Sequence, residues 1–216
     1  MIDLYKKRSL GTFCSEVLLL VISAFIYSIA FPGFVSEKGL GFIAFFAIIP
    51  VLIVIKNTSW KAVGFHGFLF GVAFYCFFNY WLPNFHKGAI VIVTVIKGTE
   101  MLMLFFALKG AVTLFKKHGY LLQGFIWISY AYLSESWFAG YPYGTIAYAL
   151  YRYLPLIQIA EYTGIWFIIY MIIAPQAYIA NNLADRVKRQ GDRFLVYVKK
   201  NLLFPIIYGV VFIVWF

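Results

Sequence analysis

The chain has 216 residues, of which 63% are hydrophobic and only 12% charged, and its formal net charge is +10. Soluble domains carry about 25% charged residues, so this composition cannot cover a water-facing surface and excludes an ordinary soluble domain. The positive charge does not mark a nucleic-acid binder either. The cations stand in clusters between apolar runs (Lys6-Lys7-Arg8, Lys116-Lys117, and Arg186 to Lys200), which is the pattern of cytoplasmic loops in a membrane protein.

In chain order, the first apolar run follows Lys6-Lys7-Arg8. The residues after it, Ala30-Phe31-Pro32-Gly33, offer no small-residue cleavage site. The run is therefore read as a retained helix, about 12–31, rather than a signal peptide. Further predicted spans cover 39–55, 62–82, 89–115, 120–138, 154–180 and 202–216. The expected fold is all-α: one transmembrane domain, 1–216, built as a polytopic bundle of six complete spans and a partial seventh.

Basic residues alternate between richer and poorer sides along these connections. The N-terminus, the pair Lys56 and Lys61, the pair Lys116 and Lys117, and the run from Arg186 to Lys200 form the richer side. Lys38, Lys87 and Arg152 form the poorer one. The positive-inside rule then predicts a cytoplasmic N-terminus. At ~1.5 Å per residue the last run covers about 22 Å, against a hydrocarbon core of roughly 30 Å. The sequence is expected to stop partway through an outward-going span, as a truncated chain.

Polar groups inside predicted spans are costly and so mark candidate sites. Lys97 and Glu100 are three residues apart, on one helix face and within pairing reach. They read either as a structural ion pair or as part of an ion-coupled transporter. His66 has no partner at ligand spacing, and it reads as a packing or interfacial residue. Asn79 suits an interhelical hydrogen bond, and Gly67 with Gly71 suits close helix approach. Cys14 and Cys76 lie in apolar runs and are expected as small buried hydrophobes.

Glu135, Trp137 and Glu161, with Gln158, flank the connection from 139 to 153, which contains Tyr141, Pro142 and Tyr143. Its Tyr, Gly and Pro content predicts an ordered interfacial loop that could meet lipid. The plain alternative is an aromatic belt. The sequence has no Gly-x-Ser-x-Gly, no phosphate-binding glycine loop and no metal-ligand spacing. No catalytic residue, metal or cofactor is expected from it.

Ala30-Phe31-Pro32-Gly33-Phe34 resembles the phenylalanine-proline turn of the apolipoprotein N-acyltransferases. Gly67-Phe68-Leu69-Phe70-Gly71 followed by Tyr80-Trp81-Leu82 resembles that family's third span and its exit. Gly140-Tyr141-Pro142-Tyr143 is similar to its Gly-Phe-Pro-Trp, with Tyr143 where Trp is usual. Gln158-Ile159-Ala160-Glu161-Tyr162-Thr163-Gly164, leading to Trp166-Phe167, resembles its sixth span, and Glu135 matches a family carboxylate.

The resemblance implies a bacterial inner-membrane enzyme. Its acyl donor would be a phospholipid and its acceptor the diacylglyceryl cysteine of a lipoprotein. It also implies a nitrilase-like domain with a Glu–Lys–Cys triad beyond the seventh span. None of that triad can be carried onto these residues, because Cys14 and Cys76 match membrane positions. If 216 residues are the whole product, no acyl transfer is expected. A lipid-binding scaffold working with a separate catalytic subunit is the other reading.

Overall fold

The computed structural model describes residues 10–116, 118–137, 140–188 and 203–215, the side chains of 186–188 excepted. The predicted basic segments Lys6-Lys7-Arg8 and 189–200 lie outside the described residues, as do Lys117, the pair 138–139 and Phe216. All described regular structure is helical. It consists of α1 (Leu10–Ser28), α2 (Ile49–Asn57), α3 (Trp60–Phe78), α4 (Lys87–Leu114), α5 (Gly119–Ser136), the short α6 (Leu154–Ile157), α7 (Ala160–Lys188) and α8 (Leu203–Trp215), with three 3-10 turns between them.

Among the described residues four helices are long and apolar enough to cross a membrane: α1, α3, α4 and the stretch Ala160–Asp185 of α7. Helix α5, with 18 residues, packs between α4 and α7. Many large apolar side chains point away from the bundle, among them Leu18, Ile92, Met103 and Leu133. An exterior of this kind suits lipid rather than water. Both cysteines also lie on this exterior. They are exposed rather than buried, because Cys14 and Cys76 fall on the faces of α1 and α3 that turn from the core.

Each helix shows the core only one stripe. On α1 the buried residues Glu16, Leu20, Ser23, Ala24 and Tyr27 recur at helical spacing. Helices α3 and α4 meet backbone to backbone. A Cβ on Gly67 would stand 2.7 Å from the Met101 carbonyl oxygen, and one on Gly71 would stand 2.8 Å from the Gly98 Cα. Larger residues there would push the helices apart. The packing role read for Gly67 and Gly71 is thus what the structure shows.

Two predicted runs are broken rather than straight. The second becomes a 3-10 turn, Gly41–Phe45, followed by α2. A break in apolar surroundings leaves backbone groups unpaired, at a cost of roughly 1–3 kcal/mol each. Gln176, fully buried on α7, answers them. Its Oε1 accepts the Ile48 N–H at 2.8 Å, and its Nε2 donates to the Ala44 carbonyl at 2.9 Å. The sixth run is split between α6 and α7, and α7 is itself kinked at Gly164, whose φ of 64° and ψ of −173° leave helical space. Positive φ is glycine's region.

Two polar layers mark the ends of the bundle. At one end, which also receives the start of α5, His66 is fully buried, with Nδ1 3.1 Å from Thr58 Oγ1 and Nε2 3.5 Å from Glu16 Oε2. Lys109 Nζ donates to the carbonyls of Lys56 and Thr58, at 2.8 and 2.7 Å. These are carbonyls left open at the end of α2. Lys56 pairs with Asp185 at 2.7 Å. The opposite end carries the connection between α5 and α6 and is called here the connection end.

Candidate functional site

At the connection end the chain after α5 folds back over the helix. Gly140 N–H donates to the Trp137 carbonyl at 2.8 Å, and Tyr141 N–H donates to the Ser134 carbonyl at 3.1 Å. A Cβ on Gly140 would stand only 2.4 Å from the Glu135 carbonyl oxygen, so this return needs glycine. Two further bonds fasten it. Tyr27 of α1 donates its hydroxyl to the Gly144 carbonyl at 2.8 Å, and Thr145 Oγ1 donates to Glu135 Oε1 at 2.6 Å. The connection then sinks into the bundle through buried Ile146, Ala147, Ala149 and Leu150.

Beneath it lies the charge pair. Lys97 is 1% exposed. Its Nζ donates to Glu100 Oε2 at 2.9 Å and also to Ser134 Oγ on α5, which in turn donates to Glu100 Oε2 at 2.9 Å. The three groups close a ring between α4 and α5. A buried ion pair is tolerable only when its remaining sites are satisfied. Here Glu100 Oε1 has no hydrogen-bond partner among the described residues. The Tyr130 hydroxyl stands in the field of Glu100, near Ser134 and Tyr75, without a well-formed hydrogen bond of its own.

The pair and the connection touch. Lys97 Nζ lies 5.7 Å from the centroid of the Tyr141 ring, within cation–π range. The Tyr141 hydroxyl donates to Oδ1 of buried Asn79 at 2.8 Å. Burial, then the neighbouring Tyr143, push the Tyr141 phenol up to about 12. It therefore remains a neutral donor at any physiological pH.

Glu100 and Ser134 also line a groove of about 740 Å³ between α4 and α5. That volume falls within the ~300–1,000 Å³ of ordinary ligand sites. The rest of the wall is mainly aliphatic, with Met103 and Leu104 from α4, Ile126 and Leu133 from α5, and Trp137 at the connection end. Met103 and Leu133 are 67% and 64% exposed, so the groove opens sideways onto the apolar exterior. An apolar trough ending at a buried polar ring can hold a flexible hydrocarbon chain and meet one polar group at its end. Among the described residues no three of His, Cys, Asp and Glu come together as metal ligands.

The predicted site residues therefore separate. Lys97, Glu100, Tyr141 and Glu135 form one neighbourhood, Glu135 being close enough to act on the Lys97 charge. Trp137 joins it through the groove. Tyr143 stacks obliquely on Tyr141 at 5.0 Å and meets Trp81 at 6.3 Å, but is itself 55% exposed, and Pro142 is exposed beside it. Gln158, just after α6, and Glu161, in the first turn of α7, stand apart and are exposed. Sequence reasoning missed Ser134 and Tyr130. With Trp137, their i, i+4, i+7 spacing would have placed them on one face of α5.

Fold and site thus define a helical membrane protein with a lipid-sized groove beside a buried charge pair. A profile of the apolipoprotein N-acyltransferase N-terminal domain matches residues 23–177, and the chain belongs to that family. It is similar to apolipoprotein N-acyltransferase 1 of Treponema denticola, with 29% identity over 184 residues, which is 85% of this chain and 34% of the relative. It is also similar to apolipoprotein N-acyltransferase 1 of Treponema pallidum, with 31% identity over 158 residues, 73% of this chain and 29% of the relative. A third relative is the apolipoprotein N-acyltransferase of Geobacter metallireducens, 27% identical over 167 residues, 73% of this chain and 31% of the relative. The chain spans about a third of the length of these relatives. No solved structure matches it.

Proposed function

We propose that these residues are the membrane-embedded part of an apolipoprotein N-acyltransferase. In this reading the bundle sits in a bacterial inner membrane with its N-terminus in the cytoplasm and the connection end outward. All seven predicted runs contribute to crossing it. The groove between α4 and α5 seats an acyl chain of the phospholipid donor or of the diacylglyceryl lipoprotein acceptor. The Lys97–Glu100–Ser134 ring and Tyr141 mark the level at which the hydrocarbon ends.

The observation that carries the reading is the family match across residues 23–177. The groove supports it, since its aliphatic wall opens sideways, the direction from which a lipid arrives. The chemistry itself is assigned to the remaining two-thirds of the relatives' length, not to any residue described here.

The test is a chimera. This chain replaces the matching N-terminal third of the Treponema denticola relative, and N-acylation of a reporter lipoprotein is measured by mass spectrometry in a strain depleted of its own enzyme. Restored N-acylation is the expected result. A chimera that is stable and membrane-inserted but does not acylate overturns the proposal.

A further inference from the structure

Besides buried Lys97, the described cations in or beside the connections at this end are Lys38, Lys87 and Arg152. Two of them, from different connections, converge. Lys38 and Arg152 line one pocket of about 240 Å³ together with Gly39, Gly41, Ala149 and Tyr153. This pocket shares no residue with the α4–α5 groove.

The pocket is held by backbone. Gly39 has φ +64°, and a Cβ on Gly41 would stand 2.1 Å from the Ala149 carbonyl oxygen. The turn carrying Lys38 therefore lies directly on the segment leading to Arg152. The Leu40 N–H donates to the Ile29 carbonyl at 2.9 Å, the Tyr153 N–H donates to the Leu150 carbonyl at 2.8 Å, and the Tyr151 hydroxyl donates to the Lys38 carbonyl at 3.2 Å. Neither cation is paired with a carboxylate among the described residues. Glu37 precedes Lys38 but does not line the pocket. Both residues are exposed at the pocket, and an anion seated there would meet two cations carried on a fixed backbone.

We propose that Lys38 and Arg152 form a binding site for a phosphate group, as a free ion or as the phosphodiester of a lipid headgroup. Arg supplies a planar fork for two phosphate oxygens, and Lys a point charge. The pocket is smaller than the ~300 Å³ at which ordinary ligand sites begin, which suits an ionic headgroup and leaves the acyl chains outside it. The site does not depend on the acyl-transfer reading. A failed chimera leaves it standing, and a failed binding experiment leaves the chimera untouched.

The experiment uses the full chain purified in a nonionic detergent. Binding of dioctanoyl phosphatidylglycerol, of dioctanoylglycerol (which has no phosphate) and of inorganic phosphate is measured by titration calorimetry. The phospholipid binds and dioctanoylglycerol binds at least tenfold more weakly. In the K38A/R152A double variant the phospholipid affinity falls at least tenfold, while K87A leaves it within twofold. Competition by inorganic phosphate, lost in the double variant, identifies a free-ion site; its absence identifies a headgroup site. Either arm supports the proposal. It is overturned if the double variant binds like the parent, if K87A loses as much, or if dioctanoylglycerol binds as tightly. Should the double variant lose its thermal unfolding transition, R152Q decides alone: a loss of threefold or more supports the site, and none removes it.

Discussion

The side-chain oxygen of Gln176 accepts the backbone N–H of Ile48 across 128 positions of sequence, at 2.8 Å. With the bond from its Nε2 to the Ala44 carbonyl, this one glutamine lets the second apolar run change from a 3-10 turn to an α-helix inside the bundle. Q176L keeps the volume and removes both bonds. Leaving buried backbone groups unsatisfied costs about 1–3 kcal/mol each. A markedly lower thermal midpoint in detergent is expected for Q176L, with a smaller loss for Q176E. An unchanged midpoint would show that the break is held by other means.

The Lys97–Glu100–Ser134 ring makes a prediction of non-additivity. K97M leaves the Glu100 carboxylate without its partner, and breaking a buried pair costs roughly 3–5 kcal/mol. The double variant K97M/E100L removes both charges and is expected to recover most of that loss. S134A is expected to cost about 1 kcal/mol, the usual worth of a hydrogen bond. Unfolding in detergent mixtures, arranged as a double-mutant cycle, reads all of these. Additive losses for K97M and E100L would mean that the two side chains are not coupled.

Tyr141 carries a pH signature outside the membrane-crossing helices. Its phenol is raised to about 12 in the folded chain, chiefly by burial, while an unfolded tyrosine ionises near 10. The folded state holds this proton more tightly. The resulting stability is complete below about pH 10 and is lost as pH climbs through about 12. The gap in thermal midpoint between the parent and Y141F should therefore narrow from pH 9 to pH 11. A gap that stays constant would show that the Tyr141 hydroxyl titrates like a free phenol.

The groove predicts that filling it displaces lipid. A107W places an indole in the trough, about two turns along α4 from Glu100. Fewer phospholipid molecules should copurify than with the parent, at an unchanged thermal midpoint within a few degrees. In the chimera, N-acylation should fall at least tenfold. Full activity with the trough filled would separate the groove from acyl-chain binding.

Topology is testable through cysteine chemistry. In a background with both native cysteines replaced, E37C should react with a membrane-impermeant maleimide in spheroplasts. K116C should react only after lysis. The reverse pattern would invert the proposed orientation.

The sequence made the helices legible because apolar runs and their charged flanks are local signals. It also exposed the Gly67–Gly71 contact, since small residues four apart mark a close approach. The breaks were not legible. Gln176 reads as an isolated polar residue until Ala44 and Ile48 are brought to it, and Gly164 reads as one more helical position in an apolar stretch. The Lys97–Glu100 pair was visible from i, i+3 spacing. Its third member, Ser134, comes from another helix, and serine is common enough that its identity gives no warning. The cysteines were misplaced for a related reason. In a membrane protein an apolar run does not tell which side faces protein and which faces lipid.

Lys97 and Glu100 share one helix, and that bears on how the chain is made. Helix α4 carries the counter-ion of Lys97 within itself, so this pair can leave the translocon already neutralised before α5 has been synthesised. The glycine contacts to α3 are available by then, as both partners precede α5 in the chain. Ser134 arrives afterwards and joins a pair that already exists. Moving Glu100 to another helix could preserve every distance in the finished bundle, yet it would oblige a lone ammonium to enter the bilayer first. Membrane integration would then depend on the order of synthesis rather than on final stability.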